Sequence, residues 1–170
     1  RWGGRLAGDR LAADAAALRD RGIAAVGPVH FSRPVELADG SQTEAAFSVF
    51  YWPDEARIAE MRLFACQHHT PAAVWLPALQ RHDNGATRIL RVEQYVIDPT
   101  DEANRLGALL GLEPQPLAAT ESLGGGWRIA TAPGRADLDF REAGQHAVRA
   151  RLVLATTADA AIDRPPWLGN

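Results

Sequence analysis

The sequence predicts an α+β fold of paired βαβββ modules, their curved mixed sheets forming a half-barrel. Three observations carry this expectation. The order strand, helix, strand, strand, strand occurs twice, with a period of about 80 residues. One helix per four strands cannot supply the crossovers that a doubly wound parallel sheet requires, and each unit leaves one sheet face uncovered, so two units should pair. The composition, 46% hydrophobic and 23% charged over 170 residues, fits a folded chain with a sizeable core rather than a disordered one.

Arg1 to Gly8 is short and apolar enough for a first strand, weakened by Gly3 and Gly4. Asp9 can N-cap a helix that places Leu11, Ala15 and Leu18 on one face and ends at Gly22. Pro28 to Leu37 alternates, with Val29, Phe31, Arg33 and Val35 on one side and His30, Ser32 and Glu36 on the other. Asp39-Gly40 marks a hairpin turn, and Glu44 to Trp52 alternates again. A polar loop leads to a third run, Met61 to His68. The segment His69 to Ala86, with Pro71, Pro77 and Asn84-Gly85, reads as irregular.

The second unit opens with a β-rich run from Thr87 to Ile97. Asp98-Pro99 then starts a helix with Ala103, Leu106, Leu109 and Leu110 inward and Gly111 at its end. Both helices are expected to be roughly 10 to 14 residues long. Leu117 to Thr120, Trp127 to Thr131 and Ala136 to Arg141 follow as short strands, separated by Gly124-Gly125-Gly126 and Pro133-Gly134. Residues 1–78 thus form one module, 79–86 a connector and 87–145 a second module. Residues 146–170 form the start of a further unit or a tail, with Arg151 to Thr157 as its strand. A chain opening at Arg1 rather than Met reads as an excerpt of a longer protein.

Charge narrows the function. The net charge is −3 and all 18 basic residues are arginines, scattered singly among acids, which disfavours nucleic acid as a partner. No run approaches the ~20 apolar residues of a membrane helix. The lone Cys66 excludes an intrachain disulfide and fits a reducing, cytoplasmic setting.

The densest chemical text is Cys66-Gln67-His68-His69-Thr70-Pro71, followed by His82-Asp83-Asn84-Gly85-Ala86. Imidazoles here could ligate a metal, hold an anion or move a proton, or His68 and His82 could simply hydrogen-bond backbone. His68-His69 is not an i, i+4 pair, so the helical zinc-enzyme motif is absent. Arg33, between Phe31 and Val35, must find an anion or carbonyl: a substrate carboxylate, Glu36 or Glu44. Arg91 has the same character. Cys66 reads as a small buried hydrophobe rather than a nucleophile paired with His68. Gly124-Gly125-Gly126 precedes a strand and lacks the residues of a phosphate loop, so it reads as a flexible hairpin connection. Trp75 and Trp127 read as core aromatics.

These residues and the doubled βαβββ order resemble the vicinal oxygen chelate superfamily, the glyoxalase and bleomycin-resistance group. Phe31-Ser32-Arg33-Pro34-Val35, Phe64 to Pro71, Val74-Trp75 and His82 to Ala86 are similar to bacterial glyoxalase-like proteins, over residues 1–145. The resemblance implies a divalent metal, Zn, Mn, Fe or Ni, held by His or Gln of first strands and Glu of fourth strands. Aligned on the helices, the first-strand positions fall near Gly3 and Arg91, neither a usual ligand, and the fourth strands offer Gln67 or His68 and Glu142. No complete metal site is expected within this chain, and further ligands would have to come from outside it.

The resemblance further implies a small-molecule enzyme of metal-assisted lyase, isomerase or dioxygenase type. In it, His68 and His82 are catalytic, and Arg33, Gln67, Trp75 and Asn84 bind substrate. The rival is a metal-free module that binds a small molecule or antibiotic, favoured by the missing first-strand ligands and the tryptophans. A structural or dimerisation domain, forming a homodimer, is the third reading.

Overall fold

The computed structural model describes residues 10–53, 57–120, 123–144 and 150–157. The strand expected over Arg1 to Gly8, the Asp9 cap and the segment from Arg164 onward lie outside them. The chain divides into two compact units, Arg1–Leu76 and Pro77–Asn170.

The first unit holds one helix and a three-stranded antiparallel sheet. Helix α1 (Arg10–Asp20) buries Leu11, Ala15 and Leu18, one stripe at i, i+4 and i+7. Strands β1 (Val26–Glu36), β2 (Gln42–Tyr51) and β3 (Phe64–His68) run in the order β1-β2-β3. β1 carries Pro28 and Pro34 and is mostly exposed, as prolines confine a strand to an edge. Its turn is the expected one: Asp39 Oδ1 accepts from the Ser41 backbone N–H and hydroxyl, and Gly40 takes φ +79.

Two irregularities shape this sheet. A register shift interrupts the β1–β2 ladder between Val26 and Val29, where Gly27 has φ +111. A Cβ there would stand 2.9 Å from the Val49 carbonyl oxygen. Arg19 fastens this stretch to the helix, its Nε donating to Ala25 O at 2.9 Å and its Nη2 to Gly27 O. The third strand starts at Phe64, not Met61, because Ala59 and Glu60 take φ 49 and 64 and Met61 N–H turns back to Ile58 O at 2.8 Å.

The second unit repeats the order helix, strand, strand, strand, with one strand before it and one after. β4 (Ala86–Val96), α2 (Pro99–Leu110), β5 (Gln115–Leu117), β6 (Gly126–Ile129), β7 (Asp137–Glu142) and β8 (Ala150–Thr156) build a five-stranded sheet, β5-β6-β7-β4-β8. β4 lies parallel to β7 and antiparallel to β8, so the sheet is mixed. Asp98 caps α2, accepting from Asp101 N–H at 2.9 Å, and Gly111 at φ 68 closes it. Ala103, Leu106 and Leu109 of α2 are buried, as are Ile129 and Phe140 of the sheet. Trp127 Nε1 donates to Thr100 Oγ1 at 3.0 Å, so this face of β6 belongs to the helix.

Gly126 is a matter of space rather than flexibility, because a Cβ would collide with the Phe140 carbonyl. The last strand, which the sequence reads as the start of a further unit, pairs with β4 from Ala86 to Gln94. Neither sheet closes on itself, and the whole is α+β.

Candidate functional site

Strand pleating sorts the sequence-predicted residues onto two faces of the first sheet. The ladder sets Phe31 beside Phe47 and Phe47 beside His68, with Arg33 beside Ala45. On this face the Phe31 and Phe47 rings stack with centroids 5.3 Å apart, and the His68 ring stands edge-on to Phe47 at 5.2 Å. Trp75 stacks on His68 at 5.6 Å, and the Arg33 guanidinium carbon lies 5.6 Å from the Phe47 centroid. The alternative partners for Arg33 are gone: Glu44 and Glu36 point to the other face, and Glu36 accepts from Gln42 Nε2 at 3.2 Å. Arg33 makes no salt bridge with a described residue.

Trp75 reaches this face through the turn after β3. Thr70 Oγ1 accepts from Ala46 N–H at 2.8 Å, and Trp75 N–H donates to Pro71 O at 2.9 Å. Ala73 of this turn then packs onto Ala45 and Phe47 of β2, next to Val35 and Val74, as a small buried cluster. Trp75 is 59% exposed and Phe31 48%, so Trp75 is no core aromatic. Cys66 also proves exposed, on this same face two residues before His68. Partial burial pushes its thiol up from the ordinary 9.0, which leaves little thiolate for nucleophilic attack.

Gln67 lies on the opposite face, beside Ser48, where its Oε1 accepts from Leu11 N–H of α1 at 3.4 Å. Ser48, 1% exposed, joins two imidazoles there: its Oγ lies 2.6 Å from His30 Nδ1 and 2.5 Å from His69 Nε2. Consecutive strand residues cannot ligate one ion, so Gln67 and His68 do not share a metal. Among the described residues no three His, Cys, Asp or Glu side chains converge. The described donor set therefore does not fit the divalent ion that the resemblance implies.

The other candidates belong to the second unit. His82 and Asn84 sit in the exposed turn before β4, where Asn84 Oδ1 accepts from Ala86 N–H at 3.1 Å. With Arg88, Ile89 and Leu154 they border an open cleft of about 290 Å³. Glu142 ends β7 and is exposed.

The chemistry that sequence reasoning missed covers the sheet face away from α2. Glu93 and Asp139, both 0% exposed, are neighbours in the β4–β7 register. Glu93 accepts from Arg91 Nε at 2.8 Å, Arg151 Nε at 2.7 Å and Tyr95 OH at 3.2 Å. Asp139 takes a bidentate pair from Arg128 at 2.7 and 2.8 Å. Arg141 donates to Gly124 O at 2.8 Å, with its Nη2 3.9 Å from Asp139. Burial alone would raise the Glu93 carboxyl, but the bonds from Arg91 and Arg151 outweigh it and hold it below its ordinary 4.5. The one available signal was Arg91, flagged as needing an anionic partner.

A family model described as a glyoxalase-like domain matches residues 5–111, which take in both helices and β1 to β4. Among solved structures, one titled as a hypothetical protein from Staphylococcus aureus is similar at 8% identity, with a TM-score of 0.55. The alignment covers 76% of this chain and 48% of that one, so the chain spans about half the length of that neighbour, and the likeness is one of fold alone. No curated protein matches. No helix among the described residues is long and apolar enough to cross a membrane.

Proposed function

The chain belongs to the glyoxalase-like domain family, and from that premise we propose that it binds a small planar aromatic anion on the face of β1, β2 and β3 that carries Arg33 and His68. The observation that carries this reading is the continuous row Arg33, Phe47, His68 and Trp75, with Phe31 beside it. Phe31 and Trp75 are exposed, with the buried Phe47 behind them, and offer a ligand about 0.5–1.5 kcal/mol per well-placed aromatic contact beyond the area buried. A guanidinium over a ring, with no acid paired to it among the described residues, supplies the charge for a carboxylate. His68, edge-on to one ring and stacked on another, is held where its ring nitrogens can hydrogen-bond the ligand's polar edge.

The binding version of the family's chemistry is preferred to the metal-assisted version because Gln67 and His68 face opposite ways. Calorimetric titration with benzoate and indole-3-carboxylate tests the reading, with benzamide and cyclohexanecarboxylate as uncharged and non-aromatic controls. Both aromatic acids should bind saturably, with at least tenfold weaker binding after Arg33→Gln or Trp75→Leu. Equal affinity for all four compounds, or none for any, sinks the proposal.

A further inference from the structure

The arginine–carboxylate lattice of the second unit, independent of the face just described, holds its guanidiniums in an unusual way. Arg91 and Arg151 both grip Glu93 through Nε, one on each carboxylate oxygen. Nε contact alone leaves the terminal amines, and neither residue's Nη groups hydrogen-bond to any described residue. The register pairs Arg151 with Glu93 and Arg91 with Val153, so the two arginines are diagonal neighbours on one face, about 7–8 Å apart at the backbone. Their side chains are 32% and 49% exposed, while Glu93 beneath them is fully buried.

Charge points the same way. Four guanidiniums, those of Arg91, Arg128, Arg141 and Arg151, face the buried carboxylates of Glu93 and Asp139, with Asp137 at the rim 3.9 Å from Arg128. Positive charge exceeds negative even with Asp137 counted. Arg141, 6% exposed, has a buried Nε with no hydrogen-bond partner among the described residues. A lattice serving only to hold the sheet together would be expected to neutralise itself and to spend its donors.

We propose that this face is a binding site for a phosphate dianion, free or as a small monoester, held by the Nη groups of Arg91 and Arg151. The guanidinium fork matches tetrahedral oxyanion geometry, and two forks give a dianion four donors. Glu93 positions both arginines by fixing their Nε atoms, and Tyr95 OH steadies Glu93 in turn.

The test is a titration of the full chain with inorganic phosphate and, separately, methyl phosphate, followed through the arginine side-chain nitrogens by NMR. Chloride at matched ionic strength is the blank. Saturable shifts at Arg91 and Arg151, absent at Arg105 of α2, are expected from at least one phosphate, and the tighter binder names the source. Arg91→Gln and Arg151→Gln should weaken binding at least tenfold, and Arg105→Gln should not. Shifts that chloride reproduces, or that never saturate, overturn the site, and because they are read on the unaltered chain they do so even if a variant misfolds.

Discussion

Glu93 shows how one side chain can depend on residues far away in the chain. Its partner Arg151 lies 58 positions on, and Asp139 and Arg128 come from two other strands. The text Arg91-Val92-Glu93-Gln94-Tyr95 alternates like any strand with a solvated polar face, so no local spacing could reveal that Glu93 is buried. Arg33 and His68 were readable because strand alternation alone assigns their side. Trp75 was misread as core because only the turn after β3 decides where it goes.

Because the Glu93 carboxyl is held below its ordinary 4.5, its contribution to stability is complete above that pH and is lost as pH falls through the depressed value. Urea midpoints should therefore drop in acid below about pH 4.5, and Glu93→Gln should flatten that part of the profile. An unchanged acid limb in the variant would assign the loss to other carboxylates. Glu93→Ala, which strands two arginines, should cost about 3–5 kcal/mol near neutrality.

At the scale of elements, the ends of α2 were legible to the residue and those of the strands were not. Asp98, Pro99 and Gly111 act through local backbone chemistry that a sequence displays directly. β5 was expected over Leu117 to Thr120 but occupies Gln115–Leu117, because Thr120 turns out of the ladder, accepting from Leu123 N–H on its hydroxyl at 3.1 Å. Such pairing choices are made by partners, not by propensity. Asp98→Ala should lower stability by about 1 kcal/mol, the usual worth of an N-cap, seen as a lower melting temperature. No change would mean that the Asp101 N–H finds water equally well. Gly126→Ala should be costlier, since the Phe140 carbonyl leaves no room for the methyl group.

Across the whole molecule, the order helix, strand, strand, strand recurs in both units among the described residues, and helices of 11 and 12 residues bear out the expected lengths. Repetition survives local misreadings because it sums over dozens of positions. What it could not show was β8 completing the second sheet beside β4. A central strand between β7 and β8 should exchange its amides slowly, so hydrogen exchange should find Val92 to Tyr95 among the best protected backbone of that unit. Rapid exchange there would count against the β4–β8 pairing.

The Ser48 hydroxyl carries a single proton, yet it touches a ring nitrogen of both His30 and His69. With both rings neutral, Ser48 can donate to only one, so the other must bring its own N–H. The two imidazoles therefore cannot choose their tautomers independently. If Ser48 donates to His69, His30 must carry its hydrogen on Nδ1; if Ser48 donates to His30, His69 must carry its own on Nε2. Both rings can also donate to the two lone pairs of the oxygen, and only the pairing of Nε2–H on His30 with Nδ1–H on His69 is excluded. Nitrogen chemical shifts should never report His30 as the Nε2 tautomer together with His69 as the Nδ1 tautomer, and Ser48→Ala should lift that restriction.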